Sequence, residues 1–393
     1  MNTFDKCMIH LGLRQKIHGN TRWKKNIAVI VIVGMLVMLF CVAVAYKLVA
    51  RTKQMDQPDG PVPSRWIRTN QMDQPDGPGP SRWIRTSQMD QRQPDGPNRQ
   101  KCLIIILGQA RAAELTWPSF KEMLLDPTGC DLALSVGSHE EGDVAENPFY
   151  SSAKYQWIWN ETQFGNVSDS ETWDLSFDSL HATAVQQDPD LKSGDEWKKL
   201  YEIPWTWIGP VSGQPGSAGI LLFMRLWAHL KMQELGLYQK YSYIMYTRSD
   251  YLYRCPFPFE ELTRDRTDKH TMWITKGEDY DGITDRNLLT TSALMSNSLD
   301  ILMTMFKDHQ QWFDTMKDAM RGPGWHLERV IKQHLEFKGL LGNVSRYDPV
   351  MFTVRGKDTW TRWRKGRYDA ELGMFVKYQA EKDKTDENCG VKK

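Results

Sequence analysis

Three short stretches of this 393-residue chain place charged side chains where chemistry could be done. The apolar run "YSYIMYTRSDYLYRCPFP" ends in Arg248 and Asp250, a cation beside an acid at what reads as the carboxyl end of a strand. Ligands of open α/β sheets bind in the crevice outside such ends. A second stretch, "GEDYDGITDR", carries Asp281, Asp285 and Arg286, and a third, "HLERVIKQHLEF", opens with Glu328. Cations at Arg111, Arg248 and Arg286 would stabilise charge developing on departing phosphate oxygens, through a planar fork that matches phosphate. A positioned carboxylate at Asp281, Asp285 or Glu328 would take the proton of an attacking hydroxyl, typically a ~10²–10⁴-fold contribution. Each residue also has an ordinary role open to it. Arg248 and Asp250 could be a strand-end ion pair, the aspartates could brace turns, and Glu328 could answer a helix dipole.

Those residues need elements to hold them. "CLIIILGQAR" reads as a buried strand over residues 103–107, running into Gly108, Gln109 and Arg111. A second strand is expected at 131–136, and a helix at 216–235 with Ser217 as its N-cap and Ile220, Phe223, Trp227 and Leu230 on one face. The strand at 243–247 delivers Arg248. A short strand, an acidic loop and a returning apolar run fill 272–295, and a late helix ends at Gly339. Strand, helix and strand in succession predict an α/β domain with a largely parallel sheet.

Ahead of this domain the composition changes twice. Residues 27–46 carry no charge, and ~20 apolar residues are the length that crosses ~30 Å of hydrocarbon. A cleaved signal peptide usually has a shorter apolar region, ~7–15 residues, so an uncleaved signal anchor is expected. Lys6, Arg14, Lys16, Arg22, Lys24 and Lys25 precede it against Lys47, Arg51, Lys53 and Arg65 after it, which puts the N-terminus in the cytoplasm. The expected layout is a cytoplasmic tail over 1–26, a membrane span over 27–46, a stem over 47–99 and a lumenal domain over 100–393. The stem holds a repeat, "QMDQPDGPVPSRWIRT" then "QMDQPDGPGPSRWIRT", in register at Met55, Met72 and Met89. Its Pro, Gly and Asp content favours a disordered spacer.

A lumenal domain accords with sequons at Asn160, Asn166 and Asn343. Cys102, Cys130, Cys255 and Cys389 leave three pairings open in an oxidising compartment. A net charge of +1 with interspersed signs gives nucleic acid no footprint. Gly-x-Ser-x-Gly, His-Glu-x-x-His and Walker loops are all absent from the sequence, which removes the hydrolase, metalloprotease and P-loop readings.

The set formed by Gly-Gln-x-Arg at 108–111, Arg-x-Asp at 248–250, "GITDR" at 282–286, the helix-opening Glu328 and "TRW" at 361–363 resembles a diffuse family of Golgi-type, GT-A-like glycosyltransferases. The resemblance implies a GT-A-like, Rossmann-like mixed sheet flanked by helices. It also implies a single-pass type II enzyme of the Golgi membrane, moving a sugar from a nucleotide-sugar donor to a glycan or glycoprotein acceptor. Gly108, Gln109, Arg111, Arg248, Asp250 and Arg286 would then bind the donor, with Asp281, Asp285 and Glu328 as the catalytic carboxylates. Asp250 is the implied ligand of Mn²⁺ or Mg²⁺, since hard cations can use one carboxylate plus phosphate oxygens. No full Asp-x-Asp stands at this strand end, because Arg248 occupies the first acid's place. A membrane-tethered carbohydrate-binding or adhesion protein on the same fold is therefore the alternative.

Overall fold

The structure, a computed structural model, describes residues 102–391 apart from 139–145, 162, 165–167, 192–193, 204–207, 210–215, 265–269, 319–323 and 358–364. The expected span at 27–46, the stem, Asn166 and residues 361–363 lie outside the described residues. Among those described, no helix is long and apolar enough to cross a membrane.

β1 (Cys102–Gly108) is an interior strand of the main sheet, and its alternation shows why. Leu103, Ile105 and Leu107 enter one core cluster while Cys102, Ile104 and Ile106 enter another, so both faces are covered and the strand can be apolar throughout. β2 (Asp131–Ser138) and β4 (Tyr243–Thr247) flank it in parallel, and β3 (Tyr155–Asn160) adds to β2. With β6 (Met272–Thr275), β7 (Leu288–Thr291) and β8 (Val344–Tyr347), the order is β3-β2-β1-β4-β7-β6-β8. β7 alone runs against its neighbours β4 and β6. This mixed, largely parallel sheet fits the expected fold class. The chain leaves β1 toward β3 and returns to β4 on β1's other side, so a topological switch point opens between the carboxyl ends of β1 and β4.

Helices cover both faces. α1 (Ala113–Phe120) follows β1, while α2 (Asp169–Gln187), α3 (Ala218–Glu234) and α4 (Leu327–Phe337) pack on the opposite side. α4 buries Leu327, Val330, Ile331, His334 and Leu335, the spacing of a single helical stripe. It ends before Gly339, whose φ of 66° supplies the left-handed cap. Ser217 stands at the start of α3 as expected, but its hydroxyl makes no capping hydrogen bond.

A second, four-stranded sheet was not foreseen. β5 (Tyr251–Tyr253), β9 (Met351–Arg355), β10 (Arg367–Asp369) and β11 (Met374–Val376) form it in the order β10-β11-β9-β5. A last helix, α5 (Gln379–Asn388), closes the chain. Of the three cysteine pairings, the fold selects Cys102–Cys130 and Cys255–Cys389. The first ties β1 to the residue before β2; the second ties the segment after β5 to the end of α5.

Candidate active site

The two sheets meet at Asp250. It follows β4 and precedes β5, and its backbone carbonyl accepts from Val354 N at 2.9 Å, which fixes β9 beside it. β1 arrives from the other side. Gly108 turns at φ 98°, a backbone conformation that L side chains rarely adopt, so glycine suits the turn. Beyond the turn, Ser249 Oγ donates to Gln109 O at 2.7 Å and Thr116 Oγ1 donates to Ser249 O at 2.6 Å. The Gln109 and Arg111 segment is thereby pinned to the end of β4.

Three arginines converge on one carboxylate. Arg248 Nε donates to Asp250 Oδ1 at 2.8 Å and Nη2 to Oδ2 at 2.9 Å; Arg111 Nε reaches Oδ2 at 2.9 Å, and Arg355 Nη1 reaches it at 2.5 Å. Asp250 and Arg355 are each 1% exposed, whereas the Arg111 and Arg248 side chains reach solvent. Burial alone would raise the Asp250 pKa, but Arg248, Arg355 and Arg111 hold it well below the usual carboxylate range. The cations show the reciprocal imbalance. Burial and the neighbouring guanidinium charges push Arg355 down to about 10 against the pull of Asp250.

Lys377, directly after β11, adds a fourth cation. Burial and the charges of Arg248, Arg286 and Arg355 depress its pKa to about 7. Its Nζ lies 4.9 Å from the Tyr378 ring centre.

Arg286 is nearby but neutralised by acids that sequence reasoning passed over. Its Nη1 donates to Glu381 Oε1 at 2.6 Å and stands 3.8 Å from Glu278 Oε1. Tyr280 and Tyr378 flank its guanidinium at 5.0 and 4.6 Å. Glu278 is fully enclosed and accepts from Tyr251 OH at 2.8 Å on Oε2, while among the described residues its Oε1 has no hydrogen-bond donor. Burial, reinforced by the charge of Glu381, lifts Glu278 to about 7. Glu278 stands in an acidic loop with three other carboxylates, Asp279, Asp281 and Asp285, and nothing local marks it as the buried one.

The three expected catalytic carboxylates separate. Asp285 lies beside the cluster, 3.9 Å from Arg286 Nε, and its charge acts on Arg248. Asp281 is 63% exposed and pairs with Arg329. Glu328 pairs with His326 Nδ1 at 2.9 Å. These two share a different patch, where Ile283 N donates to Glu328 O at 2.9 Å. Gly282 is required there, because an added Cβ would stand 2.2 Å from the Glu328 carbonyl carbon.

The residues around Asp250 do not fit a divalent metal. Both carboxylate oxygens are occupied by guanidinium donors, and a metal there would face three fixed positive charges. An Asp-x-Asp triplet does occur at Asp279, Tyr280 and Asp281, but its acids diverge to Arg346 and Arg329. Among the described residues no cluster of three His, Cys, Asp or Glu side chains could hold a metal ion. The arrangement is instead suited to an anion.

No protein-family model matches the sequence, and no curated protein matches it. Among solved structures, the chain is similar to mouse xyloside xylosyltransferase 1 in its apo form, with a TM-score of 0.33 and 10% identity, over 63% of this chain and 85% of that one.

Proposed function

We propose that this chain is a glycosyltransferase-like enzyme that moves a sugar from a nucleotide-sugar donor to the hydroxyl of a glycan or glycoprotein acceptor. The observation that carries the proposal is the excess of guanidinium charge at the switch point between β1 and β4, where Arg111, Arg248 and Arg355 share the single carboxylate of Asp250. In sugar transfer the bond from the anomeric carbon to the diphosphate oxygen breaks, and negative charge builds on the departing phosphates. Fixed cations in a partly desolvated crevice lower the energy of that state more than that of the bound donor. Asp250 holds the forks in place so that they need not reorganise during the reaction. Asp285, the expected carboxylate beside the cluster, takes the acceptor's proton as the acceptor oxygen bonds to the anomeric carbon.

The same proposal covers the setting. The chain is read as a single-pass type II protein of the Golgi membrane, a reading supported by the uncharged run at 27–46, the Pro- and Gly-bearing stem over 47–99 and the three sequons beyond them. The two disulfides support an oxidising compartment. One observation favours the binding-protein alternative: Asp250, the acid expected to engage a metal-bound donor, is consumed by internal pairs.

The test is a panel of nucleotide sugars incubated with full-length protein in detergent, with and without acceptor glycans and Mn²⁺, following released nucleoside diphosphate. Turnover of one donor that disappears in Arg248→Ala supports the proposal. No turnover on any donor, together with retained binding to a glycan array, would replace it with the carbohydrate-binding reading.

A further inference from the structure

The register of the second sheet gathers polar groups that the internal pairs leave unused. Phe375 stands opposite Arg355, and Lys377 N donates to Thr353 O at 3.0 Å, while Thr353 stands opposite Tyr251. Because side chains alternate between faces with period two, Lys377, Thr353 and Arg355 project from the same face, the one toward Asp250. Thr353 and Arg355 are each 1% exposed, yet among the described residues Thr353 Oγ1 and Arg355 Nε have no hydrogen-bond partner. A buried donor without a partner is costly to keep, so two on one face beside a cation excess mark a place built for a ligand. Lys377 has no ion pair among the described residues, and the charges acting on it most strongly are Arg248, Arg286 and Arg355, opposed by Asp250. Arg111 and Arg248 reach solvent at the rim.

We propose that Arg111, Arg248, Thr353, Arg355 and Lys377 form a metal-independent pocket for the pyrophosphate group of a nucleoside diphosphate. It deepens the glycosyl-transfer reading by replacing the divalent cation expected at Asp250 with protein cations, and it rests on that reading only for the identity of the donor. An entering pyrophosphate supplies the missing negative charge, gives Arg355 Nε and Thr353 Oγ1 an acceptor, and lets Lys377 carry its proton. Lys377 is a binding residue whose charge the ligand stabilises. Without ligand, its depressed pKa makes the ammonium form costly in the folded state. The folded protein therefore gains stability as pH rises from about 7 toward the ordinary lysine value, and the same rise weakens anion binding.

The experiment is calorimetric titration of inorganic pyrophosphate into the full-length protein in detergent, with EDTA present throughout, at pH 6.5 and pH 8.5. Wild type is expected to bind in EDTA and to bind more weakly at pH 8.5. Lys377→Met should bind about tenfold more weakly at pH 6.5, while melting no lower than wild type, a pairing that a merely structural lysine would not produce. Lys377→Arg should restore binding and remove the weakening at high pH, because its charge does not titrate in this range. Loss of binding in EDTA with recovery on adding Mn²⁺, or equal affinities for wild type and Lys377→Met, would overturn the proposal. Pyrophosphate binding of the expected kind without turnover of any nucleotide sugar would uphold this pocket and reject the transfer reaction.

Discussion

Arg355 Nη1 donates to Asp250 Oδ2 at 2.5 Å, and each of these side chains is 1% exposed. The bond joins the end of β9 to the turn after β4, so the second sheet completes a site that the first sheet only begins. Arg248 and Asp250 alone would be a surface ion pair worth ~0–1 kcal/mol. With Arg355 over them the carboxylate is enclosed, and its removal becomes a different matter.

Asp250→Asn is therefore expected to destabilise the protein by about 3–5 kcal/mol, because it leaves buried guanidinium charge without its counterion. Urea denaturation of wild type and variant measures this. The contribution should be constant at neutral pH and decline only in acid. The Asp250 pKa is depressed, so its stabilisation is present above the ordinary carboxylate value and is lost as pH falls through the lower folded value. A variant as stable as wild type would show that the arginines do not depend on this acid.

Glu278 should behave in the opposite sense. Its folded pKa is raised to about 7, so its contribution is full below pH ~4.3, the unfolded value, and fades as pH rises through 7. Glu278→Gln is expected to melt close to wild type at pH 5 and above it at pH 8. Thermal scans across that range give the difference curve directly.

Asp285→Asn is expected to lower kcat by ~10²–10⁴-fold on whichever donor the nucleotide-sugar panel identifies, leaving pyrophosphate affinity within twofold. Asp281→Asn, on an exposed residue paired with Arg329 away from the arginine cluster, should cost less than fivefold. The comparison of the two kcat values checks the assignment.

The disulfide Cys255–Cys389 should hold α5 against the site. α5 carries Glu381 to Arg286 and Asp386 to Arg254, the latter at 3.0 Å. Cys389→Ser is expected to cost about 2–5 kcal/mol and to raise amide exchange selectively over residues 379–388. Uniform exchange across the domain would argue against a local clamp.

Asn160 is exposed and Asn343 half-buried among the described residues. When the full chain is made in a eukaryotic secretory host, glycan is expected on at least one of Asn160, Asn166 and Asn343. Endoglycosidase treatment should then increase mobility, and an unchanged band would remove the support these sequons give to a lumenal domain.

The main sheet was legible because β1 and β4 are apolar runs long enough to be buried on both faces, each stopped by a polar turn. Arg248 and Asp250 were visible for the same reason. Arg355 and Lys377 carry a matching local signal: each directly follows a short, mostly apolar run, Met351–Val354 and Met374–Val376. Such runs are only three to five residues long, and the pairing of β9 with β5 joins segments about a hundred residues apart, information that no local window contains. Glu278 had no signal at all. Its burial comes from Tyr251, Asn287 and Arg286 closing over it, and an acid in a glycine-bearing loop ordinarily reads as solvated.

The clamp between Cys255 and Cys389 also bears on how the protein is made. Asp250 leaves the ribosome long before Arg355, Lys377 and Glu381, so during synthesis the acid and its first two arginines wait without their cover. Only when residue 389 has been made can the Cys255–Cys389 pair form and tie down the end of α5. The arginine pocket is thus among the last regions of the domain to come into being. A chain stalled or shortened before that point would present the main sheet with an open, charged mouth.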